Sequence, residues 1–141
     1  MMKWQKYIPL LTILWLIISC GAIDSKAAAP VPTILEVTRS STIPQNHLTP
    51  FSRTIVNTGA VQKLYTAAQN LPKAGVHNWM CPVGSTVVYH VRFFVGKTVL
   101  QQWNMDAIGC YAIMLHKGDL RQPNPAFVSL FAKTIGLKKL Y

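Results

Sequence analysis

Acidic side chains are scarce in this sequence. Asp24, Glu36, Asp106 and Asp119 are its four carboxylates, against fourteen Lys+Arg in 141 residues, for a formal net charge of +10. A glycoside hydrolase needs two facing carboxyl groups, and Glu36 with Asp106 is the candidate pair for that role. The four histidines, His47, His77, His90 and His116, never fall at the i, i+4 spacing of a zinc-binding helix, and no Cys-x-x-Cys occurs. No metal site is therefore expected, although a sheet could bring His90 and His116 together. A Gly-x-Ser-x-Gly elbow and a Gly-rich phosphate loop are also missing, as is any recognised nucleic-acid motif. With so few acid–base and nucleophilic groups, the expectation is a non-enzymatic chain that uses no cofactor and binds no nucleic acid.

A long apolar run is absent as well. Lys3 and Lys6 open the chain, and Tyr7 to Ser19 then carry no charge over 13 residues. A helix needs ~20 apolar residues to span a bilayer, so residues 1–19 read as a signal peptide. Ile17-Ile18-Ser19-Cys20-Gly21 ends the run. This segment resembles the lipobox of bacterial lipoproteins, in which an aliphatic residue, a tolerated one and a small one precede the cysteine. The resemblance implies cleavage before Cys20 and a diacylglycerol on its sulfur, with palmitate-type acylation anchoring the chain to the outer face of the cell membrane. Two acyl chains hold firmly where one holds marginally. The alternative is free secretion with cleavage near Ala27-Ala28-Ala29, an A-x-A pattern.

Without the leader, twelve Lys+Arg face four Asp+Glu, a net charge of +8. The basic residues are dispersed, and only Lys138-Lys139 are adjacent. Such a surface favours anionic lipid or cell-wall polymer, and it also suits simple solubility. Once Cys20 carries lipid, Cys81 and Cys110 remain. An even count in an oxidising compartment points to one disulfide. By loop-closure entropy that bond would stabilise a domain of this size by roughly 3–4 kcal/mol.

Residues 20–32 are small and rich in Ala and Pro, and read as a tether; residues 33–141 form a single domain. Ile34 to Thr38 is a β-rich first strand, and Arg53 to Val56 a short extended piece. Asn57-Thr58 can cap a helix over about 58–70, whose apolar face is Val61, Leu64, Tyr65 and Ala68 and which ends at Leu71-Pro72. Residues 72–85 form a loop. Val87, Tyr89, Val91 and Phe93 alternate with polar residues, the strongest strand signal in the chain. Gly96-Lys97 turns the chain into a second strand over 98–106, with Val99, Trp103 and Met105 on one side. Cys110 to Leu115 is a third strand, ended by Lys117-Gly118-Asp119. Asn124-Pro125 starts a closing helix with Phe127, Leu130 and Phe131 on one face, and Gly136 stops it. The expected fold is α+β in the order β-α-β-β-β-α, an antiparallel sheet with two helices on one face and one disulfide.

Trp79, Met80, Pro82, Val83 and Gly84 flank Cys81 in the 72–85 loop. Large apolar residues on a loop stiffened by proline are good anchors for a partner, such as another exported protein. The same residues can instead fold beneath the loop as part of the core.

Leu71-Pro72, Cys81-Pro82, Gly109-Cys110 and Phe127 to Gly136 together resemble the layout of small lipoproteins from Gram-positive bacteria. That resemblance covers residues 33–137 and brings no activity with it. Met80-Cys81-Pro82-Val83, followed by strand, turn, strand and cysteine, also resembles the reactive loop and hairpin of the subtilisin-inhibitor family. This second resemblance implies a protease inhibitor whose scissile bond follows Val83. The chain departs from that family in lacking a second disulfide, in placing Gly84 where a bulkier residue is usual, and in adding a helix after the last strand.

The lipobox reading makes a direct prediction. Cys20→Ala should release the protein from the membrane fraction or block its processing. A Cys20→Ala protein that fractionates and is cut like the wild type would overturn that reading.

Overall fold

Strict alternation between Val87 and Val95 builds the strand on which the domain is assembled. The structure, a computed structural model, describes residues 29–41, 48–75, 87–108 and 112–140. Among these residues six strands and two helices follow one another as β1 (Ile34–Ser41), β2 (Phe51–Ile55), α1 (Thr58–Gln69), β3 (Val87–Val95), β4 (Thr98–Asp106), β5 (Ile113–His116), β6 (Asp119–Arg121) and α2 (Pro125–Thr134). The strands form one antiparallel sheet in the order β2-β1-β3-β4-β5-β6. The α+β class therefore holds.

The sheet carries two more strands than the sequence suggests. The extended piece at Arg53 is a full edge strand, β2, paired with β1 from Leu35↔Ile55 to Arg39↔Phe51. Its middle residues are exposed, so it lacks the apolar alternation that marks a half-buried strand. Lys117-Gly118 does not end the meander but turns it, with Gly118 at φ 85°, into the three-residue strand β6. Of the third expected strand, Cys110 and Tyr111 lie outside the described residues, and β5 runs Ile113–His116, one residue past Leu115.

One face of the sheet is packed. Leu35 and Val37 of β1, Tyr89, Val91 and Phe93 of β3, Trp103 and Met105 of β4, and Ile113 and Leu115 of β5 are buried there. Both helices lie on this face. Tyr65 of α1 meets Phe93 edge-on at 5.2 Å between ring centroids, and Phe131 of α2 meets Tyr89 at 5.4 Å and Trp103 at 5.8 Å. Such aromatic pairs contribute about 0.5–1.5 kcal/mol each beyond area burial. The expected faces of the helices are buried at Val61, Leu64 and Ala68 and at Phe127 and Phe131, while Leu130 is half-buried.

Val99 departs from the expected pattern. The register shifts between Phe93 and Phe94, so that Phe93 faces Gln101 and Phe94 faces Val99. The extra residue, Leu100, is a β-bulge that reverses the alternation. Val99 consequently sits with Ile34 and Phe94 on the other face, 45% exposed, and Gln101 takes the inward place at 6%. Gln101 is satisfied there: Gln69 Nε2 donates to its Oε1 at 2.6 Å, and its own Nε2 donates to His116 Nε2 at 3.3 Å. A buried amide without such partners would be costly.

Side chains cap the start of each helix. Asn57 Oδ1 accepts from Ala60 N at 3.0 Å, and Asn124 Oδ1 from Phe127 N at 2.8 Å. At the far end of α2, Leu137 N donates to Ala132 O and Gly136 N to Lys133 O, a Schellman closure that needs the positive φ of Gly136, 73°. A Cβ at Gly136 would also overlap the Arg53 guanidinium, which donates to Ile135 O at 2.7 Å. The last residues then fold back, so that Leu140 is buried and its carbonyl accepts from the Tyr89 hydroxyl at 2.6 Å. Arg121 of β6 holds the carbonyls that end α1, donating to Leu71 O at 2.7 Å and Gln69 O at 3.3 Å. Its other nitrogens grip Asp119 with two bonds of 2.7 and 3.1 Å.

Two predictions arise from this packing. Leu64→Ala or Phe131→Ala should lower unfolding free energy by about 2–5 kcal/mol, measured by denaturant titration; near-neutral effects would mean that these faces are not core. The second concerns acid. The hydrogen bond from Arg121 holds the Asp119 carboxyl below the usual carboxylate range. A lowered folded-state pKa adds stability that is complete above the unfolded-state value and is lost as pH falls through the lowered one. Asp119→Asn should therefore be less stable than wild type near neutrality, with the two converging in acid as pH falls through the lowered Asp119 value. A gap that persists in acid would assign the effect to something other than this charge.

Candidate functional site

Among the described residues, no helix lies over the second face of the sheet. Side chains on it alternate with the core residues, and register places them in rows across the strands. One row runs Thr54, Glu36, Arg92 and Gln102; the next runs Ser52, Thr38, His90, Asn104 and Met114. A depression of about 610 Å³ opens over these rows, lined chiefly by Glu36, Thr38, His90, Arg92, Gln102, Asn104, Met114, His116 and Lys117.

Two pairs of side chains in the depression hold each other in place. Arg92 Nη2 donates to Glu36 Oε2 at 2.7 Å, and its guanidinium lies 5.7 Å over the Phe94 ring. With its proton on Nδ1, His90 donates to Asn104 Oδ1 at 2.9 Å and accepts from Ser40 Oγ at 2.9 Å. His116 is fixed through Gln101. Glu36 is the only carboxylate on the lining, against Arg92 and Lys117. The surface is accordingly a polar, weakly cationic platform of amides, hydroxyls and imidazoles, edged by the apolar row Ile34, Phe94 and Val99.

The structure sorts the residues singled out in the sequence. Glu36, His90 and His116 all line the depression. Glu36 and Asp106 do not form a facing pair. Glu36 is in the row of Gln102, whereas Asp106 lies four residues further along β4, about 13 Å away along the strand. Asp106 is instead engaged by its own turn, accepting from Ile108 N at 3.0 Å, and Glu36 is neutralised by Arg92. His90 and His116 lie on β3 and β5 with β4 between them, each bonded to other partners. Among the described residues no three His, Cys, Asp or Glu side chains converge as metal ligands. No helix among those residues is long and apolar enough to cross a membrane. Cys20, Cys81, Cys110, His47, His77 and the loop residues Trp79, Met80, Pro82, Val83 and Gly84 lie outside the described residues.

Gln102, Asn104, Thr38 and Arg92 are the part of the site that the search for catalytic motifs passes over. Their signal is the polar half of the alternation on β1, β3 and β4, which gives each strand an outward set. Which members of those sets share a row depends on register and on the bulge at Leu100.

Compared with known proteins, the chain matches no family model, and no curated protein or solved structure is significantly similar to it. The resemblances to small lipoproteins and to subtilisin inhibitors thus rest on the quoted motifs alone.

Proposed function

We propose that the chain is an extracytoplasmic, lipid-anchored binding domain, not an enzyme, and that it holds an anionic, hydroxyl-rich polymer of the cell envelope against the open face of its sheet. One observation carries this reading: a polar platform over a depression of about 610 Å³, in which Arg92, His90 and Asn104 are preset by hydrogen bonds and Gln102 lies beside them. Side chains already held by hydrogen bonds lose little freedom when a ligand arrives, so contact there is favourable relative to a floppy surface. Amides, hydroxyls and imidazoles offer both donors and acceptors, the inventory a polyhydroxylated ligand needs. Arg92 and Lys117 outnumber Glu36 on the lining, which suits phosphate or carboxylate groups along the polymer. The lipobox at Cys20 and the excess of basic residues support a place at the envelope, where such polymers are abundant.

The platform gives a sharp test. Arg92→Ala combined with Asn104→Ala should weaken co-sedimentation of the purified protein with isolated cell walls by about tenfold or more, as expected for two central contacts. Both positions are outward-facing, so the double variant should keep its fold by circular dichroism. Unchanged binding by a folded double variant would remove this face from the interaction.

A further inference from the structure

Five large apolar side chains are strongly exposed among the described residues: Val31, Val56, Val95, Val99 and Met114. Four of them gather at one end of the sheet. Register sets them there: Val56 follows the pair Leu35↔Ile55, and Val95 and Val99 flank the β3–β4 turn, where Phe94 faces both Ile34 and Val99. Val31 lies just before Thr33, whose N–H bonds to Phe94 O at 2.8 Å. Val56 is the most exposed at 70%. Single exposed apolar residues are ordinary, but a cluster of them marks a contact surface.

Two further features say what the surface meets. Lys97 projects from the tip of the β3–β4 turn, and no carboxylate occurs in residues 29–35, 55–59 or 94–100. The end is thus apolar and cationic, the pairing favoured by an anionic lipid surface. The N-terminal segment also leaves the domain here. Ala29 is nine residues from Cys20, which fixes the span between them at about 30 Å or less.

We propose that this end of the domain docks on an anionic bilayer, with Val31, Val56, Val95 and Val99 at the level of the headgroups and Lys97 on their charge. The inference rests on the reading of Cys20 as the lipid anchor, and adds to it an orientation. The strands run away from the membrane, and the open sheet face stands beside the membrane normal, accessible from the wall side.

Hydrogen exchange on the full chain tests this, in vesicles of equal parts phosphatidylglycerol and phosphatidylcholine. Peptides covering residues 94–100 and 55–58 should exchange roughly threefold or more slowly in wild type than in a Val56→Ser, Lys97→Glu, Val99→Ser variant, with residues 112–122 equal in both. In detergent solution the two chains should exchange alike, and the variant should still sediment with vesicles through its anchor. Equal exchange at 94–100 and 55–58 in vesicle-bound chains would overturn the docking while leaving the anchor intact. A difference that persists in detergent would trace the effect to local stability or to cover by the chain itself, and would also overturn it. The anchor fails on separate grounds, when Cys20→Ala leaves membrane attachment and processing unchanged.

Discussion

The alternation of side chains on β3 governs both halves of this molecule. Tyr89, Val91 and Phe93 point inward, and His90, Arg92 and Phe94 point outward, from a strand that pairs along its length with β1 on one side and β4 on the other. Phe93 touches α1 through Tyr65, and Tyr89 touches α2 through Phe131. Removing the inward set would detach both helices, and shifting it by one residue would bury Arg92 and expose Phe93. A charge placed inward without a partner would be strongly destabilising, so the register is pinned from both faces. The platform and the core are therefore one decision made twice along a single strand.

How much of this is legible in the sequence follows from how local each signal is. The helices are readable because caps, period and stops all sit within a dozen residues: Asn57, the Val61/Leu64/Ala68 stripe and Pro72 for one, Asn124-Pro125, Phe127/Phe131 and Gly136 for the other. β3 is readable because its alternation spans nine residues. β2 is not, since its middle residues Ser52, Arg53 and Thr54 are exposed and only pairing with β1 makes it a strand. β6 is too short to carry a period, and is held by Arg121 reaching back to the carbonyls at the end of α1. Alternation alone places Val99 on the core side, because nothing in residues 98–106 marks the bulge at Leu100. That bulge is a property of two strands, not of one.

The candidate site shows the same division. That Glu36, His90 and His116 are chemistry-bearing is plain from residue type, and all three line the depression. That Glu36 pairs with Arg92 and not with Asp106 is a matter of register, which no spacing within one strand encodes. The amides Gln102 and Asn104 attract no notice in a search for catalytic groups, yet Asn104 is what orients His90. Sites built across strands from ordinary polar residues leave almost no linear trace, in contrast to those built on one loop or one helix.

Geometry also connects the two faces to the two ends. Among the described residues the helices cover one side of the sheet, which leaves the other for a ligand that binds a sheet face. Residues 29–33 leave the sheet beside the β3–β4 turn, so on the proposed reading of Cys20 as a lipid anchor that end would lie nearest the membrane. On that proposal the open face would lie along the direction from membrane to wall, with its apolar row of Ile34, Phe94 and Val99 at the membrane end and its row of Thr38, His90, Asn104 and Met114 farther out. A polymer crossing the sheet along that outer row would meet hydroxyl, imidazole and amide in turn without approaching the bilayer. Had the chain entered at the Asp106 end instead, the valine cluster would face the wall and the polar rows would offer no such gradient. On that proposal, the four exposed valines and Lys97 at the end where residues 29–33 leave the sheet would align the polarity of the platform with that of the envelope.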